Sequence, residues 1–213
     1  MLDYKFCFTL SVLIEESDLK LLVGLGNPEP RYEMTRHNAG FTMVTKLATK
    51  CGASLSESGR LKAELGKLKF ASNDVIVAKP NTYMNLSGQA VQAITAFYKI
   101  DKSDLMVVHD EVALPLGKIR LARDGGSAGN HGIESIFSCI GTRDFQRLRI
   151  GVGPDPGGAV RAHFVLSPLE EKDLLLYAKV MELAIEAYAE VLRNGIQSAM
   201  NKYNGIDLRE TVI

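Results

Sequence analysis

Short apolar runs alternate along the chain with stretches in which apolar residues recur every three or four positions. The runs at residues 19–25, 75–78 and 105–108 are each followed by turn-forming or polar residues, which is typical of buried β-strands. Two further strands are predicted at residues 118–121 and 148–152. These segments together predict the strands of a sheet.

Helices are predicted between the strands, because apolar side chains recur at helical spacing in residues 38–50, 87–98 and 131–140. A last helix is predicted to begin at residues 167–170, where Ser-Pro-Leu-Glu has the form of a capping box with proline at the first helical position. Gly195 is its predicted stop. Strands that alternate with helices predict one α/β domain.

Composition limits the class of protein. The 213 residues are 46% apolar and 23% charged, which excludes a disordered chain or a coiled coil. No apolar run approaches the roughly 20 residues that a membrane span needs. The three cysteines, Cys7, Cys51 and Cys139, are odd in number and far apart, so they predict neither a disulfide framework nor a zinc site. We therefore expect a reduced, cytoplasmic protein with no membrane partner.

The two ends of the chain are expected to lie outside the folded domain. Residues 1–18 contain an apolar run, but acidic residues follow it in place of the small residues of a signal-peptide cleavage site. We therefore expect a variable N-terminal extension at residues 1–18, the domain at residues 19–205 and a C-terminal tail at residues 206–213. No internal repeat or low-complexity segment interrupts the domain.

Polar residues cluster where the predicted strands end. Asn27 follows the first strand, residues 81–85 follow the second, and residues 109–111 follow the third. A glycine-rich loop at residues 125–132 leads into a predicted helix. Because ligands of open α/β sheets bind beyond the carboxyl ends of the strands, these residues predict one pocket rich in asparagine, histidine and aspartate. Residues 24–29 match a dinucleotide-binding fingerprint only weakly, since its third glycine is absent.

His37 and Asp110 are the candidate catalytic residues. His37 directly precedes a predicted helix, whose dipole disfavours imidazolium, so we expect a neutral side chain that can accept a proton. A carboxylate such as Asp110 can orient a histidine and stabilise its protonated form. Each residue taken alone also has a structural interpretation, as a capping-region histidine and as a turn carboxylate.

The sequence offers no protein nucleophile to accompany this pair. It contains no Gly-x-Ser-x-Gly motif and no cysteine near a candidate catalytic histidine. A histidine–aspartate pair without a nucleophile points to the activation of water. A metal site is the weaker alternative, because His109 and Glu111 alternate with Asp110 along a strand and would point away from it.

Five segments of the chain stand out as motifs. They are residues 22–28, Tyr32 with residues 35–40, residues 79–88, residues 109–111 and residues 147–153. In their order and spacing they resemble bacterial-type peptidyl-tRNA hydrolase, and the resemblance covers residues 19–204. It implies a monomeric α/β enzyme with a mixed twisted β-sheet flanked by helices. It also implies that the enzyme needs no metal or cofactor and hydrolyses the ester between a peptide and the 3′ ribose of tRNA.

The resemblance implies a role for each matching polar residue. His37 would be the general base, and Asp110 would hold and polarise it. Asn27 would help to discriminate a blocked from a free α-amino group on the aminoacyl-tRNA. Asn85 would bind the peptide portion of the substrate or position the attacking water.

Further residues match the family less directly. Tyr32 and Tyr83 would line the site for the tRNA end or the peptide, although a packing role suits them equally well. The glycine-rich loop departs from the family pattern, because Ala128 replaces a glycine and the order of Asn130 and His131 is exchanged. Either residue of this pair could take the substrate-binding role of the family's asparagine.

Basic residues around the glycine-rich loop form a candidate phosphate-binding patch for the acceptor end of tRNA. Its main members are Lys118, Arg120, Arg123 and Arg149, and Arg143 and Arg147 of the same segment are grouped with them. The balance of 25 basic and 25 acidic residues argues by itself against a nucleic-acid partner. Acidic residues concentrate in the C-terminal helical region, however, so we expect one positive face.

A non-catalytic RNA-binding relative of the same fold and a small-molecule hydrolase are the alternative functions.

Overall fold

A mixed sheet of seven strands forms the centre of the computed structural model, which describes residues 19–211. The strands in chain order are β1 (Lys20–Gly24), β2 (Ser56–Ser58), β3 (Ala63–Phe70), β4 (Asn73–Pro80), β5 (Leu105–Pro115), β6 (Ile119–Ala122) and β7 (Gln146–Gly153). Their order across the sheet is β2-β3-β4-β1-β5-β7-β6. The central strands β4, β1, β5 and β7 are parallel, whereas β2, β3 and β6 pair antiparallel with their neighbours.

Helices cover both faces of this sheet. They are α1 (Ala39–Lys50), α2 (Ser87–Tyr98), α3 (His131–Ile140), α4 (Arg161–Val165) and α5 (Glu171–Tyr203). The apolar sides of α1 and α5 are buried against one face, and those of α2 and α3 against the other. The short α4 lies beside the turn that precedes α1. No helix within residues 19–211 has the length and the apolar character needed to cross a membrane.

The predicted fold class, one α/β domain with a mixed sheet flanked by helices, is confirmed. The predicted helices at residues 87–98 and 131–140 coincide with α2 and α3. The third predicted strand is longer than expected, because β5 continues from Leu105 to Pro115. Residues 109–111 therefore lie within the strand and not after it.

The start of the last helix was predicted wrongly. The helix begins at Glu171, and the hydroxyl of Ser167 makes no capping hydrogen bond to it. That hydroxyl donates to the carbonyl of Phe164 (2.7 Å) and accepts from Nη1 of Arg36 (2.7 Å), so it is already engaged. Gly195 does interrupt α5, with a left-handed φ of 81°, but the helix resumes beyond it and ends at Tyr203.

Residues after α5 cover the outer edge of β6. The side-chain oxygen of Asn204 accepts from the backbone nitrogen of Leu121 (2.7 Å), and its Nδ2 donates to the carbonyl of the same residue (3.1 Å). The N–H of Leu208 donates to the carbonyl of Gly117 (3.0 Å). The domain boundary at residue 205 stays a prediction, and the expected extension at residues 1–18 lies outside the described residues.

Two glycines allow α1 to begin directly against the sheet. A Cβ added at Gly40 would lie 2.3 Å from the nitrogen of Leu25 and 2.3 Å from the carbonyl oxygen of Val108. A Cβ added at Gly24 would lie 2.2 Å from the carbonyl oxygen of Gly40. Since neither position has room for a side chain, the backbone of α1 rests on the end of β1 and on β5 at Val108. This close approach brings the turn before α1 up to Asp110.

Candidate active site

A cavity of about 460 Å³ opens beyond β1, between the glycine-rich loop and the segment that contains α4. Five residues singled out in the sequence line it: Asn27, His37, Asp110, Asn130 and His131. The rest of the lining comes from Glu111 and Val112 of β5, from loop residues 127–129 and from the segment 158–166. The structure thus brings together residues that are far apart in the sequence.

His37 and Asp110 form a hydrogen-bonded pair. His37 lies in the 3₁₀ turn Arg36–Asn38 that leads into α1, and Asp110 lies in β5. Nδ1 of His37 is 3.0 Å from Oδ2 of Asp110. Because a carboxylate only accepts hydrogen bonds, Nδ1 carries the proton in the neutral form of His37, which leaves the lone pair on Nε2. The side chains are 15% and 4% exposed, so the pair is largely shielded from solvent.

Two opposing effects set the pKa of His37. Burial lowers this pKa because it disfavours the charged imidazolium, whereas the charge of Asp110 and its hydrogen bond raise it. The combined effect of Asp110 is larger, so the pKa of His37 lies above its ordinary value of 6.5. The helix-dipole argument predicted the opposite direction, and it was wrong because it left out the carboxylate at hydrogen-bonding distance.

Asn130 caps α3 and also contacts the pair. Its Oδ1 accepts hydrogen bonds from the backbone nitrogens of Gly132 (3.0 Å) and Ile133 (3.2 Å). Its Nδ2 donates to Oδ1 of Asp110, at 3.1 Å. The carboxylate of Asp110 is therefore hydrogen-bonded at both oxygens.

His131 is the first residue of α3 and makes a different contact. Its side chain is 75% exposed, and its Nδ1 lies 3.2 Å from a carboxylate oxygen of Glu134. It lines the cavity, but among the described residues it makes no hydrogen bond to His37 or Asp110. Asn130 and His131, whose order departs from the family pattern, therefore have different partners: Asn130 contacts Asp110, and His131 contacts Glu134.

Asn27 is fixed at the cavity by three hydrogen bonds. Asn38 accepts from the backbone nitrogen of Asn27 (2.8 Å) and donates to its carbonyl (3.0 Å). The backbone N–H of Met84 donates to Oδ1 of Asn27 (3.2 Å). Its oxygen is engaged, whereas its Nδ2 has no acceptor within residues 19–211. The NH₂ group is therefore what Asn27 offers to a bound molecule.

Three predicted contact residues do not line this cavity. Asn85 is exposed in the 3₁₀ turn Met84–Leu86, and its side chain makes no hydrogen bond within the described part of the chain. The ring of Tyr32 lies 4.7 Å from the guanidinium of Arg31. Tyr83 is 59% exposed and lines a separate groove. A contact between these side chains and a substrate stays a prediction.

Arg120 and Arg149 are the members of the basic patch that lie side by side. They are directly opposed in the antiparallel register of β6 and β7, so their side chains share one face of the sheet. Arg120 is exposed and forms no ion pair within residues 19–211. Arg149 is 23% exposed, and its Nη1 lies 3.5 Å from Glu111.

The other basic residues of this region are engaged in the fold. Lys118 lies 3.2 Å from Asp207, and Arg123 lies 2.9 Å from Asp144. Arg147, which the sequence groups with the basic surface residues, is only 1% exposed. The expectation that it belongs to an exposed patch was wrong.

Arg147 holds the glycine-rich loop in place by hydrogen bonds to its backbone. Its guanidinium donates to the carbonyl of Gly126 (2.7 Å) and to that of Asp124. A Cβ added at Gly125, whose φ is 116°, would lie 2.9 Å from the same guanidinium. The loop that carries Asn130 is therefore anchored on a buried side chain of β7.

Arg36 is a structural contributor to the site that the sequence did not single out. It is 6% exposed, its Nη1 donates to the hydroxyl of Ser167, and its guanidinium lies 4.4 Å from the ring centroid of Phe164. These contacts hold the cavity wall at residues 158–166 beside the turn of His37. Ser167 is 131 residues away along the chain, and no sequence signal connects it to Arg36.

His109 is buried on the other side of β5 from Asp110, as strand alternation predicts. Its Nδ1 is 2.7 Å from the backbone carbonyl oxygen of Asp110. Burial, opposed in part by Asp110, lowers the pKa of His109 to about 4. Nowhere in residues 19–211 do three His, Cys, Asp or Glu side chains converge as metal ligands would.

The chain is similar over most of its length to known peptidyl-tRNA hydrolases. The sequence profile of the family described as peptidyl-tRNA hydrolase matches residues 21–211. A peptidyl-tRNA hydrolase from Elusimicrobium minutum is 42% identical over 186 residues, which are 87% of this chain and 99% of the relative. One from Synechocystis sp. is 41% identical over 189 residues, 89% of this chain and 97% of the relative.

A solved structure agrees with the sequence comparison. The crystal structure of peptidyl-tRNA hydrolase from Acinetobacter baumannii matches this fold with a TM-score of 0.84 at 34% sequence identity. The match covers 90% of this chain and 97% of that one. With a family profile over nearly all described residues and relatives more than 40% identical, the chain belongs to the peptidyl-tRNA hydrolase family.

Proposed function

We propose that this protein hydrolyses the ester bond between a peptide, or an N-blocked aminoacyl group, and the 3′ ribose of tRNA. It thereby recycles tRNA from stalled or abortive translation. The observation that carries the proposal is the shielded His37–Asp110 pair in an asparagine-lined cavity. The proposal is supported by the sequence as well, because this chain is 42% identical to a peptidyl-tRNA hydrolase over 87% of its own length.

His37 acts as the general base. Its Nε2 takes a proton from water while the water oxygen bonds to the ester carbonyl carbon, and Asp110 stabilises the imidazolium that results. The tetrahedral intermediate then expels the 3′ oxygen of the ribose, which takes the proton from His37. The products are a free carboxylic acid and tRNA with a free 3′ hydroxyl. A positioned base of this kind contributes roughly 10²–10⁴-fold to the rate.

Asn27 provides selectivity for a blocked substrate. An acylated α-nitrogen brings a carbonyl oxygen that can accept a hydrogen bond, whereas a free α-ammonium group can only donate. The NH₂ group of Asn27 can only donate as well, and its oxygen is already bonded to Met84. The free NH₂ group of Asn27 therefore offers a partner to the acyl carbonyl of a blocked substrate and none to a free amine.

The acceptor end of tRNA lies along the face that carries Arg120 and Arg149. Their side-by-side placement on β6 and β7 suits two phosphates of one strand. Lys118 and Arg123 add positive potential, although both are in ion pairs. Neutralised phosphates release counterions, so binding weakens as salt rises. The proposed scheme uses no metal and no cofactor.

The direct test uses purified protein with two substrates that differ only at the α-amino group. N-acetylated aminoacyl-tRNA should lose its acyl group, while the same aminoacyl-tRNA with a free amine should be cleaved far more slowly. The variant His37→Ala should abolish cleavage and still bind the acetylated substrate with near-normal affinity. Binding without cleavage by the unaltered protein would instead support a non-catalytic RNA-binding relative. Equal cleavage of a simple ester without tRNA would support a small-molecule hydrolase.

A further inference from the structure

We propose that Asn130 is a positioning residue for the His37–Asp110 pair, because α3 fixes its amide and the amide in turn fixes the carboxylate of Asp110. This inference rests on the proposed function, since it gives Asn130 a part in the same reaction. It assigns Asn130 to the catalytic pair, where the sequence left a substrate-binding role open between Asn130 and His131.

The first turn of α3 determines which end of the Asn130 amide faces the pair. The backbone N–H groups of Gly132 and Ile133 lie 3.0 and 3.2 Å from Oδ1 of Asn130. Backbone N–H groups can only donate, so they require the oxygen of the amide and exclude its nitrogen. The NH₂ group is therefore directed to the opposite side, where Nδ2 lies 3.1 Å from Oδ1 of Asp110.

The carboxylate of Asp110 has one hydrogen bond for each oxygen. Oδ2 accepts from Nδ1 of His37 at 3.0 Å, and Oδ1 accepts from Asn130. The side chain is 4% exposed, so little water is available to replace a lost partner. Without the amide, the carboxylate would keep its bond to His37 through Oδ2 but would hold the imidazole in a less defined orientation, because nothing else fixes its rotation about the Cβ–Cγ bond. Asn130 thus acts on His37 through Asp110.

The same hydrogen bond adjusts the strength of the base. A donor at Oδ1 stabilises the negative charge of Asp110 and so weakens its pull on the proton of His37. Because the donor is a neutral amide, it has the same effect at every pH in the working range. Removing it should leave a carboxylate that favours the imidazolium more strongly.

Two variants separate the capping role of Asn130 from its contact with Asp110. Asn130→Ser keeps a good N-cap for α3, because serine oxygen accepts from the same backbone nitrogens. Its hydroxyl ends one bond short of the position of Nδ2, so the contact with Asp110 is lost. Asn130→Ala loses both functions. Only the alanine variant should show a lower melting temperature, because it alone loses the cap.

Kinetics and titration should then show a common effect of both variants. We expect kcat toward N-acetylated aminoacyl-tRNA to fall roughly tenfold in each variant, since the base is less well aligned. We expect KM to change less than about twofold, because the amide oxygen and one amide N–H are already engaged within the protein. In an NMR titration, the pKa of His37 should be higher in the serine variant than in the unaltered protein.

A double-mutant cycle tests whether the effect passes through Asp110. In an Asp110→Asn background, Asn130→Ser should have almost no further effect on kcat. An equal fall in kcat in that background, a change in KM alone, or an unchanged pKa of His37 would each overturn the inference. If the unaltered protein fails to cleave the acetylated substrate, the proposed function is wrong. The His37 titration then decides the role of Asn130 by itself.

Discussion

The proton affinity of His37 depends on a balance between burial and Asp110, which Asp110→Asn would reverse. With the charge gone, burial becomes the main influence, so the pKa of His37 should fall below 6.5. The rising limb of kcat/KM against pH should then move to lower pH, while kcat falls by roughly 10²–10⁴-fold. Rate profiles and an NMR titration of His37 check both effects. A limb that moves to higher pH would contradict the assignment.

His109 makes a second prediction at the scale of one residue. Its pKa is about 4 in the folded protein, whereas in the unfolded chain it is 6.5. Between these pH values the unfolded state binds the additional proton, so stability should fall as the pH is lowered from 6.5 to 4. The expected loss is roughly 3 kcal/mol, and it ends below the folded-state pKa.

His109→Asn is the matched variant for this effect. Asparagine keeps an N–H donor for the carbonyl of Asp110 and does not titrate. Urea unfolding of both proteins, at about pH 7.5 and about pH 4.5, should therefore show a smaller acid-induced loss in the variant. Parallel losses in the two proteins would mean that other groups account for the pH dependence.

Among the elements of the site, the glycine-rich loop carries a local strain. Ala128 has a φ of 51°, in the left-handed region, where a residue with a Cβ costs roughly 1 kcal/mol relative to glycine. Ala128→Gly should therefore raise the free energy of unfolding by about 1 kcal/mol. Gly129→Ala is the converse control, because Gly129 has a φ of 79° and free space around an added Cβ. Thermal melts of both variants should show shifts of opposite sign.

Sequence patterns predicted the buried elements better than the exposed ones. The helices α2 and α3 each combine an apolar stripe with a clear start and stop, so their bounds were predictable. The strand β3 was missed because it has no continuous apolar run: Lys67 and Lys69 alternate with Leu68 and Phe70, which is the weaker pattern of a half-buried strand. The start of α5 was wrong because Arg36 engages Ser167, a tertiary contact that local sequence does not encode.

For the whole molecule, salt should weaken substrate binding. The KM for N-acetylated aminoacyl-tRNA should rise with salt, with a slope of roughly 0.7–0.9 for each neutralised phosphate on a logarithmic scale. Arg120→Gln and Arg149→Gln should each reduce that slope. Lys69→Gln is the matched control, because Lys69 is 82% exposed on β3, towards the other edge of the sheet. A slope that does not change in either arginine variant would reject this face as the tRNA surface.

The site as a whole was predictable only where a motif contained it. His37, Asp110 and Asn27 lie in motifs predicted at strand ends or before a helix, and the fold does bring them to one cavity, although Asp110 proves to lie within β5. The supports of that cavity were not predictable, because they are buried ion or hydrogen-bond partners from distant segments. Arg147 is the clearest case, since its charge suggested a surface role and its burial gave it a structural one.

The hydrogen bonds between Asn204 and Leu121 also bear on how copies of the folded chain meet one another. As the last strand of the sheet, β6 would otherwise expose backbone groups that can pair with a strand from another molecule. The side-chain amide of Asn204 has the same donor and acceptor as a peptide group, and it occupies both groups of Leu121. Asn204, the residue that follows α5, therefore protects this edge at Leu121 against strand addition and the aggregation that follows from it.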